Sequence, residues 1–366
     1  MKRLVAMMVV LGATALAGIA RGGHELPIYP SFYPHEIEIR SVAPAEAAQA
    51  LPEGKIQAYV GPGLSFAGAP PVDIRAIESL GSFIVVHVNS TRAQDDASAC
   101  AVVRTVMQAL AAQSDFIAHP YPVTPFHGDY LHHADLAAAA TARFSALEGR
   151  VGDLKIVAYG RLAQRHPDWS AHGPDWDALV IEVDVGQLVA SAMFSLNGWL
   201  APPWVRMGWF HAELLLADSA SDKPRIDSGR LKFGDFTSPV ERINLERELV
   251  TLLTRGCRKI LAGYTVKREY VNVEFSAGIE NIGYDSLAGL HSPMFIRTVK
   301  LKDFPWNGWL ALGTAGKPEA AWNPIGGMTD PFGRLMGFAV GDPALLPSPY
   351  EAGWMLNRIS DLPSGR

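Results

Sequence analysis

Between Lys55 and about Ala190, short runs rich in β-formers alternate with stretches of helical periodicity, and this alternation restricts the fold more than any other feature of the chain. Lys55–Val60, Phe83–Val88, Phe116–His119, Leu154–Tyr159 and Leu179–Val185 read as strands. Between the second and third lies Ala97–Ala112, with Val102, Val103, Val106, Met107 and Leu110 at helical spacing, and between the third and fourth lies the Ala-rich Asp135–Leu147. Strands separated by helices of this length predict a helix-covered, mainly parallel sheet. In such sheets ligands gather where strands end and helices begin.

Beyond residue 190 the pattern changes. Trp204–Ala217, Thr265–Ala277 and Met294–Leu301 are long strand candidates separated by turn-forming clusters. One helix interrupts them: Ser238-Pro239-Val240-Glu241 has the spacing of a capping box with proline at the first helical position, and Gly256 is placed to end it. The expected class is therefore mixed α/β, with a helix-covered domain over residues 55–190 and a β-rich domain with one packed helix over 191–366. After Leu310 the density of Gly, Pro, Asn and Asp predicts long loops, among them Asn323–Arg334 with Asp330. Two similar segments, Phe194–Leu200 and Phe304–Leu310, each place Asn-Gly between apolar residues and read as hairpin turns. Their tryptophans, Trp199, Trp306 and Trp309, either pack behind those turns or line a ligand cleft.

The N-terminus gives a compartment. Met1-Lys2-Arg3 is a short basic start, Leu4–Ala20 is an apolar run, and Gly18-Ile19-Ala20 offers the small residues that a signal peptidase reads. Residues 1–20 are thus expected to direct secretion to the periplasm, with membrane attachment only if they are retained. Residues 21–54, rich in Pro and aromatic residues and carrying His24 and His35, are expected to form an extended strap. In an oxidising compartment Cys100 and Cys257 could pair, but each sits in a helix-like context, which favours two buried free thiols. A net charge of −5 with no Lys/Arg-rich block argues against nucleic acid as a partner.

Chemistry is expected at His119–His133, which holds four of the eleven histidines among prolines, tyrosines and a carboxylate. With Asp129 at a helix start, His132 and His133 follow three and four residues on, which places all three side chains on one side of the first turn. Pro120, Pro122 and Pro125 fix φ along the approach. His127, His132 and His133 then form a candidate nitrogen set for a transition metal, zinc or copper, with Asp129 and His119 assisting and Tyr121 and Tyr130 as hydrogen-bond donors. The spacing matches no standard zinc motif. No nucleotide-binding loop, covalent-haem motif or complete nucleophile elbow is found, Gly63-Leu64-Ser65-Phe66-Ala67 lacking the elbow's second glycine. Glu280 and Asp285 are a speculative carboxylate pair.

Three functions follow. The first is a periplasmic protein that binds a transition metal for metal handling or envelope redox chemistry. The second is a small-solute-binding protein, its ligand held by Trp199, Trp306, Trp309, Asn323, Asp330 and Arg334 together with Tyr121 and Tyr130. The third is an envelope scaffold contacting a protein partner. A secreted mixed α/β chain with aromatic-rich loops resembles periplasmic solute-binding proteins in general shape, although the C-terminal half lacks their second alternating lobe.

Overall fold

Two long strands, fifteen and fourteen residues, run antiparallel through the middle of the molecule and come from opposite halves of the sequence. The computed structural model describes residues 34–145, 152–169, 175–186, 212–218, 222–303, 308–319, 328, 330–341, 345–347 and 354–356. In chain order, β1 (Glu36–Ser41) leads through α1 (Pro44–Ala50) to β2 (Ala58–Val60), β3 (Ile74–Val88), α2 (Asp96–Leu110) and β4 (Phe116–Ala118). After a 3-10 turn at Tyr130–His132 come α3 (Ala134–Ser145), β5 (Ile156–Tyr159), α4 (Arg161–Arg165) and β6 (Ala178–Asp184). A second 3-10 stretch, Glu213–Asp218, precedes α5 (Lys223–Phe233), α6 (Pro239–Leu253) and β7 (Lys259–Asn272). There follow β8 (Ile279–Glu280), α7 (Pro293–Thr298), β9 (Lys300–Leu301), β10 (Trp309–Thr314), α8 (Pro331–Val340), β11 (Leu345–Pro347) and β12 (Trp354–Leu356).

Eight strands form one mixed sheet in the order β1-β10-β2-β7-β3-β6-β5, with β4 pairing the far part of β7. The mixed α/β class is as expected, but the mainly parallel sheet is corrected. Only β1/β10, β10/β2 and β5/β6 are parallel, whereas β7 pairs antiparallel with β2, β3 and β4, and β3 with β6. The physical reason is that β3 finds its main partner nearly two hundred residues away in β7, so local alternation could not reveal the pairing. Residue 190 is accordingly no boundary in the sheet, which draws strands from both sides of it.

Strand alternation assigns the two faces. Ile84, Val86 and Val88 of β3, with Ile260 and Ala262 of β7, pack beneath Val102, Val103, Val106 and Leu110 of α2. The intervening Phe83, Val85 and Leu261 face the other way, toward Leu231 of α5 and Leu245 and Leu249 of α6. Period-two burial on the strands thus meets helical periodicity on both sides of the sheet. Helix α6 starts as expected: Ser238 Oγ accepts from Glu241 N at 3.1 Å, and the Glu241 carboxylate turns back to Thr237 N at 2.7 Å.

Other expectations are overturned by helix caps. Met294–Leu301 is not a strand: Ser292 caps α7 with Pro293 in its first turn, and only Lys300–Leu301 is extended. The stretch after Asp330 is not loop, because Asp330 accepts from Gly333 N at 2.8 Å and Pro331 begins α8. The last part of Trp204–Ala217 is 3-10 helix, its start lying outside the described residues. Within the expected strap, Glu36–Ser41 is an edge strand and Pro44–Ala50 a helix; residues 1–33 lie outside the described residues. The cysteines are not free. Cys100 and Cys257 form a disulfide with Cα atoms 4.9 Å apart. Asp96 accepts from Cys257 N at 2.8 Å and from Arg143 at 2.8 Å, which brings the start of α2, the end of α3 and the turn before β7 to one point.

Candidate functional site

The histidine segment begins where β4 ends. Strand β4 lies so close to β7 that a Cβ at Gly263 would sit 2.2 Å from the Ile117 carbonyl, so only glycine permits the approach. His119 N then donates to Ala262 O at 3.1 Å, and a series of tight turns follows in which His127 N donates to Thr124 O and His133 N to Tyr130 O. These turns carry His119, Tyr121, His127, Asp129 and His133 into the interior, beside α6. His132 points to solvent.

Each buried imidazole faces protein. His119 Nε2 donates to Val123 O at 2.9 Å, its ring meeting those of Tyr121, Tyr130 and Tyr264, and burial lowers its pKa. His127 Nδ1 lies 2.9 Å from Thr124 N, 3.0 Å from Thr124 Oγ1 and 3.2 Å from Thr124 O. Burial holds His127 neutral, with a pKa down to about 3. His133 is bracketed by Tyr121 Oη at 2.8 Å from Nδ1 and by Glu246 Oε1 at 3.1 Å from Nε2. Arg242, one helical turn before Glu246, contacts that carboxylate at 3.3 Å and binds Asp129 through two hydrogen bonds. Burial pushes Glu246 up and His133 opposes the shift. The result is a buried chain, Tyr121–His133–Glu246–Arg242–Asp129, that locks the segment onto α6.

A metal needs unshared electron pairs converging on one point. Among the described residues, the only potential ligand atoms of three His, Cys, Asp or Glu residues within 4.8 Å of one another belong to Asp96, Cys100 and Cys257, whose sulfurs are bonded together. The fold gathers His119, Tyr121, Tyr130, His127, Asp129 and His133 in one region and leaves His132 at the surface. Arg242 and Glu246 were missed in the sequence, although their i,i+4 spacing on a capped helix was a signal.

A second buried carboxylate was also missed. Glu269 on β7 accepts from Gly61 N at 2.8 Å and from Leu290 N at 2.7 Å, with Lys267 Nζ at 3.4 Å and His291 Nδ1 at 3.3 Å. Burial alone would raise it, but Lys267, His291 and the Leu290 N–H hold it down to about 2. Gly289, with positive φ, leaves room for it, since a Cβ there would meet Glu269 Oε2 at 2.2 Å. This carboxylate ties β2, β7 and the loop before α7 together.

The solute-binding residues are placed differently. Trp199, Trp306 and Asn323 lie outside the described residues. Trp309 begins β10 and is 74% exposed. Asp330 is the cap of α8, and Arg334, in the same helix, donates to Met328 O at 3.3 Å while burial lowers its pKa. Glu280 pairs with Lys300 at 3.2 Å, and buried Asp285 accepts from Leu287 N and Ala288 N, so the two serve separate local structures.

Register shows what surrounds Trp309. Leu312 aligns with Ala58, Ala58 with Val271, and Val271 with Arg75. Three residues farther out, Trp309 on β10 stands level with Glu274 beyond β7 and Val72 before β3. At about 4.8 Å per strand these positions form one rim of the sheet. Phe275, 83% exposed, and Val72, 98% exposed, project there, the Phe275 turn being held by Glu274 accepting from Ser276 N and Ala277 N. Toward the same end, but on the opposite face of the sheet from Trp309, is a cleft of about 360 Å³ bounded by Arg75, Lys302, Val273, Ile279, Glu280 and Asn281. Asn281 has φ +56, a left-handed conformation that asparagine tolerates.

Among the described residues, no helix is long and apolar enough to cross a membrane. No family model and no curated protein matches the chain. Solved structures similar to it include the oligopeptide-binding protein AppA from Bacillus subtilis in complex with a nonapeptide, at 12% identity and TM-score 0.37, covering 71% of this chain and 58% of that one. The periplasmic EDTA-binding protein EppA is similar at 12% identity and TM-score 0.38, covering 70% and 57%. NikA from Staphylococcus aureus, in complex with Ni(L-His)2, is similar at 12% identity and TM-score 0.35, covering 67% and 58%. The chain spans somewhat more than half the length of these structures, and the likeness is a loose one of chain course.

Proposed function

We propose that the protein is a periplasmic small-solute-binding protein whose ligand site is the cleft beside β8. The observation that carries this reading is a cleft of about 360 Å³ in which Arg75, Lys302, Glu280 and Asn281 stand beside apolar Val273, Ile279 and Ile282. Binding sites for small molecules combine an aromatic or apolar wall with a few fixed polar groups, in volumes of roughly 300–1,000 Å³. The secretion-type start and the Cys100–Cys257 disulfide support the compartment. The histidine segment, its buried nitrogens facing protein partners, serves this reading as the scaffold that anchors α6.

The test is a thermal-shift screen of the full mature chain against sugars, amino acids, short peptides and organic acids, with the Lys302→Gln variant beside it. At least one class should raise Tm at millimolar concentration, and the variant should need roughly tenfold more ligand for the same shift. A flat response to every class would refute solute binding.

A further inference from the structure

We infer that the cleft beside β8 is a carboxylate-recognising subsite, so that the solute is an organic acid; this rests on the solute-binding reading above. Two cationic side chains, Arg75 and Lys302, and one carboxylate, Glu280, line it. Lys300 pairs with Glu280 at 3.2 Å, which leaves Arg75 and Lys302 as a local positive surplus in a chain whose net charge is −5. Among the described residues, Arg75 forms no ion pair. Its guanidinium is exposed at the cleft mouth and offers the planar fork that matches a carboxylate with two parallel hydrogen bonds.

Lys302 is held in place before any ligand arrives. Its Nζ donates to Val273 O at 2.6 Å, and the half-buried ammonium retains two further donors. Fixing a long flexible side chain in advance removes part of the ordering cost of binding. Opposite these cations the wall is rigid. Asn281 Nδ2 donates to Thr298 O at 2.8 Å, Gly283 N donates to Thr298 Oγ1 at 3.2 Å, and Lys302 N donates to Gly278 O at 3.1 Å. Glu280 on the same wall repels a doubly charged phosphate more strongly than a singly charged carboxylate, so the site favours the latter.

Calorimetric titration of the full chain with benzoate, hippurate and succinate, each against its neutral amide, and with inorganic phosphate, decides the matter. At least one acid should bind at least tenfold more tightly than its amide, more weakly as salt is raised, and Arg75→Gln and Lys302→Gln should each lose at least tenfold while retaining the wild-type circular dichroism spectrum. Equal binding of acids and amides, unchanged affinity in both folded variants, or a preference for phosphate would overturn the inference. Should neutral solutes bind while no acid does, the acid subsite fails and solute binding stands; should nothing bind, both fail together.

Discussion

Arg242 holds the Asp129 carboxylate through two hydrogen bonds, of 2.9 and 3.1 Å, across 113 residues of sequence. The same guanidinium contacts buried Glu246 at 3.3 Å. A single cation therefore compensates two carboxylates in the interior, and the segment Tyr121–His133 is docked through it. Replacing Arg242 with methionine keeps much of the volume but takes from Asp129 its two hydrogen bonds and leaves Glu246 with His133 alone. The expected loss is about 3–5 kcal/mol, because an uncompensated buried charge is costly. Urea denaturation of Arg242→Met checks it, and near-wild-type stability would show that the network is slack.

Acid sensitivity should trace partly to His127. Burial takes it from 6.5 in the unfolded chain to about 3 in the folded protein. Between those values the unfolded chain binds a proton that the folded protein does not, so this residue's contribution to stability is full above 6.5 and falls as pH drops toward 3. Glu246 acts in the opposite sense, its raised pKa costing stability as pH rises above its ordinary value of 4.5. The wild-type curve mixes the two. The difference between wild type and His127→Gln should isolate the first, with a flatter acid limb in the variant between pH 6.5 and 4.

Much of the chain's layout can be read locally, and the exceptions share a cause. Helices α2, α3 and α6 follow from periodicity and caps, since Asp95 and Ser238 satisfy first-turn amides within three residues. Helices α7 and α8 carry equally local signals, Ser292-Pro293 and Asp330-Pro331, but the run after Met294 read as a strand and the Gly and Pro around Asp330 pointed to loop. The pairing of β3 with β7 depends on residues far apart and has no local trace. The histidine segment stood out by composition, yet whether an imidazole offers its lone pair to solvent or to Thr124 N is decided by the turn around it. Arg75 and Lys302 are ordinary charges in sequence, and only the return of the chain through β8 and β9 brings them together.

Metal titration probes the same point. Zinc or copper bound by His127, His132 and His133 would need the exposed His132 to join two imidazoles of the interior, and His133 to give up its contact with either Tyr121 or Glu246. Untagged protein purified from the periplasm should therefore carry well under one equivalent by plasma mass spectrometry. Near-stoichiometric metal that disappears in a folded triple alanine variant would establish the metal reading.

Gly263→Ala should loosen the histidine segment from its root. The new methyl carbon would lie 2.2 Å from Ile117 O and 2.8 Å from the Phe116 ring, so β4 must move away from β7. A loss of about 1–3 kcal/mol is expected from this overpacking. Hydrogen exchange should show the Ile117 and His119 amides losing protection while those of β6 keep theirs.

The Cys100–Cys257 bond spans 157 residues, and between its ends lie β4, the histidine segment, β5, β6 and helices α3 to α6. A protease that nicks any connection inside that span opens the chain without dividing it. The fragments should migrate as one band on a gel until a thiol is added, then as two, and the nicked protein should keep its sheet, because the strands flanking the cut remain tethered at the start of α2 and just ahead of β7.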